Sequence, residues 1–239
     1  MTKHFIEYLL TAALAVMTAQ SCVSKIDPIF DESSANRVEA LAERLNETLT
    51  GAPNGWLLEY YPSSGQYYGG FNVFLSFSEG NKVKVGSEVA GKGKTATSTY
   101  SIYQSAGCVL TLDTYNEVMH YFADPETTGG QGAGFGFEGD FEFNVLDLQD
   151  EKITLKGRKT GSTMTMTPMP VSMSWDDYIV ALKEEESAIS KHTRIRYQTA
   201  DNKYDGRING RTLEIFSEVD GEQVTTSYPF IFNLMGVTF

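Results

Sequence analysis

The first regular pattern of apolar and polar positions along the chain is helical. Its apolar residues are spaced by three and four: Val38, Leu41, Leu45 and Leu49. This spacing places them on one face of a helix. Ser33 or Ser34 can cap the start, and Gly51 with Pro53 ends the pattern. The pattern therefore predicts an N-terminal amphipathic helix.

From Trp56 onwards the period of the apolar residues changes to two. In residues 71–78, Phe71, Val73, Leu75 and Phe77 alternate with more polar positions, as in a strand with one buried face. Similar short runs follow, separated by tight turns, at residues 83–85, 100–102, 108–114, 141–145, 153–155 and 164–169. This spacing predicts a mainly β (α+β) protein built on an antiparallel meander, and about eight strands can form either a barrel or a sandwich.

A second amphipathic helix is predicted at residues 174–190, linking the meander to a further β-rich region. Ser174 can cap it, with Asp177 three residues on, and Trp175, Tyr178, Ile179 and Leu182 form its apolar face. After it, Asn209-Gly210 and Asp220-Gly221 predict hairpin turns.

The last residues, 227–239, are apolar and strand-like. Such an end is either paired inside a sheet or belongs to a chain shorter than its natural design, and we favour the second alternative. The predicted divisions are a signal peptide (1–21), a lipid tether (22–32), a helix with a barrel or sandwich (33–173), and the linking helix with the start of a second, truncated β-rich region (174–239).

The amino terminus has the pattern of a lipoprotein signal peptide. Lys3 precedes the apolar run Leu9–Met17, and small residues lead into Cys22. An apolar run of about 7–15 residues after a positive start is typical of secretory signals. We expect the Cys22 thiol to receive a lipid, which leaves Cys108 without a partner, buried and inert. The alternatives are an ordinary signal cut near Ala19, with Cys22 paired to Cys108, or a soluble helix.

Composition and charge narrow the possible partners. Hydrophobic residues make up 41% of the chain and charged residues 21%, as in an ordinary globular protein. The net charge of -12 repels phosphate backbones, so we expect no nucleic-acid partner. The expected membrane contact is the lipid anchor, which predicts localisation at the outer membrane, on the cell surface or the periplasmic side.

The motifs of common enzymes and cofactor sites are missing from the sequence. It contains no G-x-S-x-G, H-E-x-x-H or P-loop pattern, and the run GFGFEG (134–139) precedes a strand rather than the helix that a dinucleotide site needs. We therefore predict no catalytic residues, no metal site and no cofactor. A non-enzymatic protein is favoured, although carboxylate pairs of the glycosidase kind leave an enzyme open.

Tyrosines around the first predicted hairpin are the best candidates for a binding surface. Tyr61, Tyr67 and Tyr68 flank the run PSSGQ, and Tyr115 and His120 occur together further along. Exposed tyrosines at a barrel mouth can stack on sugars or other flat ligands. The alternatives are tyrosines that only pack between strands and a histidine that is structural.

Several of these segments resemble one known family. The runs NGW, GGFNVFLSF, LTLDTYNEVMHYFADP, GDFEF, ITLKGRKTGSTMTMTPM and WDDYI are similar to the amino-terminal part of Bacteroidetes secreted lipoproteins that carry a domain of unknown function. The resemblance covers roughly residues 30–239, and such lipoproteins occur near outer-membrane nutrient-uptake systems. Family members run on past this chain's last residue, and no catalytic residues are established for them.

The lipoprotein signal, the lack of catalytic motifs and the aromatic hairpin predict a membrane-anchored lipoprotein with a ligand-binding or accessory role. Its expected partner is a small ligand or, as the resemblance implies, outer-membrane uptake proteins. The sequence leaves two other functions open, a hydrolase of extracellular polymers and a structural or adhesive surface module.

Overall fold

A computed structural model describes residues 34–126, 134–200 and 203–239 of the protein. The predicted signal peptide, the tether and Cys22 lie outside the described residues. Residues Val38–Phe239 form one compact unit. None of the helices in the described part of the chain combines the length with the apolar character that a membrane-spanning helix requires.

Eight antiparallel strands form a closed barrel. The strands are β1 (Trp56–Tyr60), β2 (Phe71–Ser78), β3 (Lys82–Ser87), β4 (Thr95–Gln104), β5 (Cys108–Leu112), β6 (Glu142–Gln149), β7 (Lys152–Gly157) and β8 (Thr163–Pro168). Each strand pairs with its neighbour in sequence, and β1 also pairs with β8, with Trp56 opposite Pro168. The predicted meander is confirmed, and of its two forms the protein adopts the barrel.

The alternation of apolar residues fills the interior of the barrel. In β1, Trp56, Leu58 and Tyr60 point inwards and are buried, while the residues between them are partly exposed. Cys108 in β5 is buried in the same core, as predicted, and burial raises the pKa of its thiol.

Helix α1 (Ser34–Gly51) covers the end of the barrel where β1 begins and β8 ends, here called the entry end. Leu45 and Leu49 of α1 are fully buried in the barrel core. The Trp56 indole donates a hydrogen bond to the Leu49 carbonyl (3.0 Å), and the Tyr100 hydroxyl donates to Asn46 Oδ1 (2.7 Å). The apolar stripe predicted for this helix is therefore its buried face.

The opposite end of the barrel, the far end, is covered by the segment between β5 and β6. This segment contains the short helix α2 (Glu117–His120), which is capped by the Asn116 side chain. Phe122 and Phe137 are buried there, and the Phe122 ring centroid lies 5.2 Å from that of Phe71 and 5.8 Å from that of Phe137. Part of the Gly-rich run thus helps to close the barrel core.

Helix α3 (Trp175–Ser190) packs on the outside of the barrel. Ser174 caps it as predicted, because its side chain accepts a hydrogen bond from the Asp177 N–H. Phe74 of β2 points outwards and meets Trp175 and Tyr178 at ring-centroid distances of 5.5 and 5.4 Å. The resulting outer cluster consists of Phe74, Met169, Tyr178, Ile179, Leu182, Phe230 and Phe232.

A four-stranded antiparallel sheet follows α3. Its strands are β9 (Arg194–Gln198), β10 (Lys203–Asn209), β11 (Thr212–Val219) and β12 (Glu222–Pro229), in sequential order. Asp220 and Gly221 have positive φ angles of 54° and 83°, as a tight hairpin turn requires. The final residues form a hairpin of β13 (Ile231–Asn233) and β14 (Gly236–Thr238).

Candidate ligand-binding groove

The loop between β1 and β2 lies at the far end of the barrel and presents the Tyr67 side chain to solvent. Ser63 and Gln66 have positive φ angles of 62° and 52°, so the loop turns sharply around Gly65. The Tyr67 ring folds back over Gly65, where a Cβ atom would stand only 2.1 Å from Tyr67 Cζ. Tyr67 is nevertheless 68% exposed. The glycine thus allows a positioned but accessible ring.

The hairpin between β10 and β11 lies against this loop. Asn209 pairs with Thr212, so Gly210 and Arg211 form the tip of the turn. A Cβ atom on Gly69 would stand 2.4 Å from the Cβ of Arg211, which leaves room for a glycine alone. Hydrogen bonds through Phe230 complete the contact, from Phe230 N–H to the Arg211 carbonyl (2.9 Å) and from Gly70 N–H to the Phe230 carbonyl (3.0 Å).

A groove of about 560 Å³ opens between the loop and the hairpin. Its aromatic wall and floor consist of Tyr67, Tyr68, Phe71 and Phe137. Its polar wall contains Asn209, Thr212, Glu214 and Ser227, which belong to β10–β12, and Gln66 adds a polar side chain beside Tyr67 on the loop. The two walls differ in chemistry, and this suits a ligand with one apolar face and one polar face.

Arg211 lines the groove and anchors the hairpin to the barrel. Its guanidinium donates to both carboxylate oxygens of Glu88, at 3.0 Å each, and to Glu186 Oε1 at 3.3 Å. Its Cζ lies 4.4 Å from the Phe71 ring centroid and 5.0 Å from that of Phe232. The bidentate pair with Glu88, the hydrogen bond to Glu186 and two aromatic contacts therefore fix the guanidinium in one position.

Glu88 belongs to a buried polar network that extends to α3 and β13. The Asn72 N–H donates to Glu88 Oε1 (2.7 Å), and the Asn72 side-chain amide donates to the Phe232 carbonyl (2.8 Å). The Tyr178 hydroxyl donates to Asn72 Oδ1 (3.2 Å). Burial, with a smaller contribution from the Glu88 charge, raises the pKa of Tyr178 to about 12. The network joins the barrel, α3 and the last hairpin at the back of the groove.

Glu214, the acidic residue of the groove, is also held by partners. Its Oε2 accepts from Arg207 Nε (2.6 Å), and its Oε1 accepts from Asn209 Nδ2 (2.9 Å). The Arg207 hydrogen bond is the largest of the effects that lower the pKa of Glu214. Glu214 is therefore negatively charged at neutral pH, and Arg207 balances this charge in an ion pair.

The predicted site residues fall into two places. Tyr67 and Tyr68 line the groove, and Tyr61 stands behind it, with its ring 2.8 Å from where a Cβ of Gly70 would be. Burial, and to a lesser extent the Glu59 charge, raises the pKa of Tyr61 to about 12.

Tyr115 and His120 form a separate stack. The His120 ring centroid lies 5.0 Å from that of Tyr115 and 4.6 Å from that of Phe141. His120 Nδ1 is 3.1 Å from the Asn116 carbonyl oxygen, and burial lowers the pKa of the imidazole. Among the described residues, no cluster of three or more His, Cys, Asp or Glu side chains could hold a metal ion.

The polar wall of the groove was not foreseen from the sequence. Asn209-Gly210 predicted only a turn, and Arg211, Thr212 and Glu214 lie next to it in an otherwise ordinary strand. The one sequence signal for this wall is the predicted hairpin at Asn209-Gly210, because the tip of a tight turn can contact another part of the fold.

A family model described as "Domain of unknown function (DUF4302)" matches residues 26–239. The chain belongs to the DUF4302 family. The DUF4302 match includes the barrel, α3, the four-stranded sheet and therefore both walls of the groove. Comparisons with curated proteins and with solved structures gave no match.

Proposed function

We propose that this DUF4302 protein is a lipid-anchored binding protein that holds a small ligand in the groove between the β1–β2 loop and the β10–β11 hairpin. The observation that carries the proposal is the groove itself, with an exposed aromatic platform on one side and, on the other, amide and hydroxyl side chains beside the ion-paired Arg211 and Glu214. The groove lies at the far end of the barrel, whereas α1 packs at the entry end. The groove is therefore at the end of the barrel opposite Leu45 and Leu49 of α1.

The anchor in this proposal is a lipid on Cys22, as in Bacteroidetes lipoproteins. The apolar run Leu9–Met17 and the small residues before Cys22 support it. We place the protein at the outer membrane, on the cell surface or the periplasmic side, as an accessory to a nutrient-uptake system. In that position the domain would present its ligand to membrane proteins.

The binding proposal is tested by measuring the thermal shift of the full chain with neutral sugars, tetrapyrroles, nucleosides and peptides. A shift that is lost in Tyr67→Ala supports the groove. The matched control is Tyr197→Ala, because Tyr197 is 61% exposed but lies on β9. No shift with any class would overturn the proposal. A shift lost in Tyr115→Ala and retained in Tyr67→Ala would move the site to the other tyrosine cluster.

The anchor is tested separately by metabolic labelling with an alkynyl fatty-acid analogue. We expect labelling in the wild-type protein and in Cys108→Ser, and none in Cys22→Ala. Labelling that persists in Cys22→Ala would refute the anchor without affecting the groove.

A further inference from the structure

The two ionic side chains of the groove are already neutralised by the protein. Arg211 is paired with Glu88 and Glu186, and Glu214 is paired with Arg207. A charged ligand would have to compete with these partners. The Arg211–Glu88 pair is buried and costly to break, and the charge of Glu214 is already balanced by Arg207. The chain's net charge of -12 further disfavours polyanions. The ligand that fits is therefore neutral.

The remaining polar groups of the groove are amides and hydroxyls. Asn209, which lines the groove, donates its Nδ2 to Glu214, and its Oδ1 is an acceptor. Gln66 supplies a second amide, and Thr212 and Ser227 supply hydroxyls that both donate and accept. Such a wall matches a ligand that has many hydroxyl groups, each able to donate and accept.

The aromatic wall matches the other face of the same kind of ligand. A pyranose ring carries axial C–H groups on one face, which pack on an aromatic ring, and hydroxyl groups around its edge. The exposed face of Tyr67 offers such a platform, and the polar side chains stand across the groove from it.

We infer that the groove binds a short neutral oligosaccharide, with a sugar ring stacked on Tyr67 and its hydroxyl groups bonded to the amide and hydroxyl side chains of the β10–β12 wall. This inference rests on the proposed binding function and names its ligand class. The groove volume of about 560 Å³ lies within the range of about 300–1,000 Å³ that is usual for small-molecule sites. A flat heteroaromatic ligand would stack equally well but would leave most of the polar wall unpaired, at a cost in affinity.

The orientation of Tyr67 is part of the inference. Gly65 lets the end of the Tyr67 ring lie close to the loop backbone, so the platform exists before the ligand arrives. A methyl group at residue 65 would push the ring away from the loop. Because only the mobile end of the Tyr67 side chain must move, the change should alter the platform without disturbing the fold.

The test is isothermal titration calorimetry of the full chain with six probes. Four are neutral (maltotriose, cellotriose, xylotriose and mannotriose), one is charged (trigalacturonate), and one is flat and aromatic (riboflavin). We expect at least one neutral trisaccharide to bind. Tyr67→Ala should weaken that binding about tenfold or more, whereas Tyr67→Phe keeps the ring and should retain it. Gly65→Ala should weaken it several-fold at an unchanged melting temperature, and Tyr197→Ala should leave it unchanged.

The alternative outcomes separate this inference from the proposed function. Binding of trigalacturonate or riboflavin alone, lost in Tyr67→Ala, would overturn the oligosaccharide and leave the groove as a binding site. Trisaccharide binding that is insensitive to both Tyr67→Ala and Gly65→Ala would overturn the stacking geometry and the groove together. Absence of binding by all six probes would overturn the inference, while the wider ligand panel would still decide the proposed function.

Discussion

The barrel and the four-stranded sheet are both antiparallel meanders joined by tight turns, yet they bury their residues very differently. The inward positions of β1 and β7 are almost fully buried, whereas β9 and β12 are exposed along nearly their whole length. The barrel closes on itself, with a shared core covered by α1 and by the β5–β6 segment. The described residues of the sheet leave β9 and β12 as open edges and form no comparable core of their own. The local sequence pattern that predicts a strand therefore says little about how much of that strand is buried.

The sheet is held at one corner. Ile208 and Leu213, next to the β10–β11 turn, pack against the outer cluster, and Arg211 at the tip binds Glu88. The sheet's stability should thus depend on that corner, whereas the barrel's stability is spread over its interior.

The largest effect is expected in the barrel interior. Leu58→Ala removes a fully buried side chain, and we expect it to lower the free energy of unfolding by about 3–4 kcal/mol, through lost burial and a residual cavity. Val219→Ala is the control in the sheet, where the side chain is 53% exposed and the expected change is within about 0.5 kcal/mol. Urea denaturation measures both. Equal losses would contradict the contrast between the two regions.

The second effect concerns the corner that holds the sheet. Glu88→Gln removes the buried charge opposite Arg211, and we expect a loss of about 2 kcal/mol, below the usual cost of breaking a buried ion pair because the amide oxygen still accepts a hydrogen bond. Limited trypsin digestion should cut faster between residues 191 and 211 while the barrel stays intact. Asp205→Asn, which breaks the exposed Arg196–Asp205 pair, should change little. Unchanged digestion in Glu88→Gln would refute the anchoring role.

A smaller effect is expected in the helix that connects the two regions. Ser174→Ala removes the cap of α3 and should cost about 1 kcal/mol. Ser187→Ala, at an exposed position within the same helix, should be neutral, because alanine is the better helix former. Thermal unfolding followed by circular dichroism compares the two variants. A larger loss in Ser187→Ala would argue against the capping explanation.

The smallest effect is a pH dependence that differs between the regions. His120 lies in the β5–β6 segment that covers the far end of the barrel, and burial lowers the pKa of its imidazole. As the pH falls below about 6.5, the unfolded state therefore binds a proton before the folded state does. The free energy of unfolding should therefore decrease as the pH falls just below that value. His120→Phe should reduce the dependence of the melting temperature on pH in this range. In the sheet, hydrogen bonds to arginines lower the pKa of Asp205 and Glu214. Their contribution is present at neutral pH and is lost only as pH falls below about 4.5. An unchanged slope in His120→Phe would contradict the assignment.

The fold was largely predictable because its signals are local. Period-two alternation in residues 71–78 and the cap at Ser174 depend on neighbours in sequence, and both elements formed as predicted. Closure of the barrel was left open, since it depends on pairing of Trp56 with Pro168, and alternation within a strand does not specify a distant partner. The form of the meander is thus a long-range property.

The candidate site was predictable only on its aromatic side. Tyr67 and Tyr68 stood out because they flank a turn. The opposite wall comes from a hairpin that is distant in sequence, since the hydrogen bond from Arg211 to the Gly70 carbonyl joins residues 141 positions apart. Tyr115 and His120 looked similar in sequence, but Tyr115 contacts the His120 ring, which stacks on Phe141. Sequence composition identified the residue types, and tertiary packing decided which of them share a surface.

The two turns of β11 should differ in how they tolerate added sequence. The turn at Gly210-Arg211 is inserted between the barrel loop and the last hairpin, so a longer loop there would lift Arg211 from Glu88 and open the groove wall. The turn at Asp220-Gly221 joins strand ends that are exposed to solvent, and Val219 beside it is 53% exposed. Peptide tags, fluorophore attachment sites or length variation among relatives can be accommodated at the second turn, whereas the first fixes both the length and the register of its hairpin.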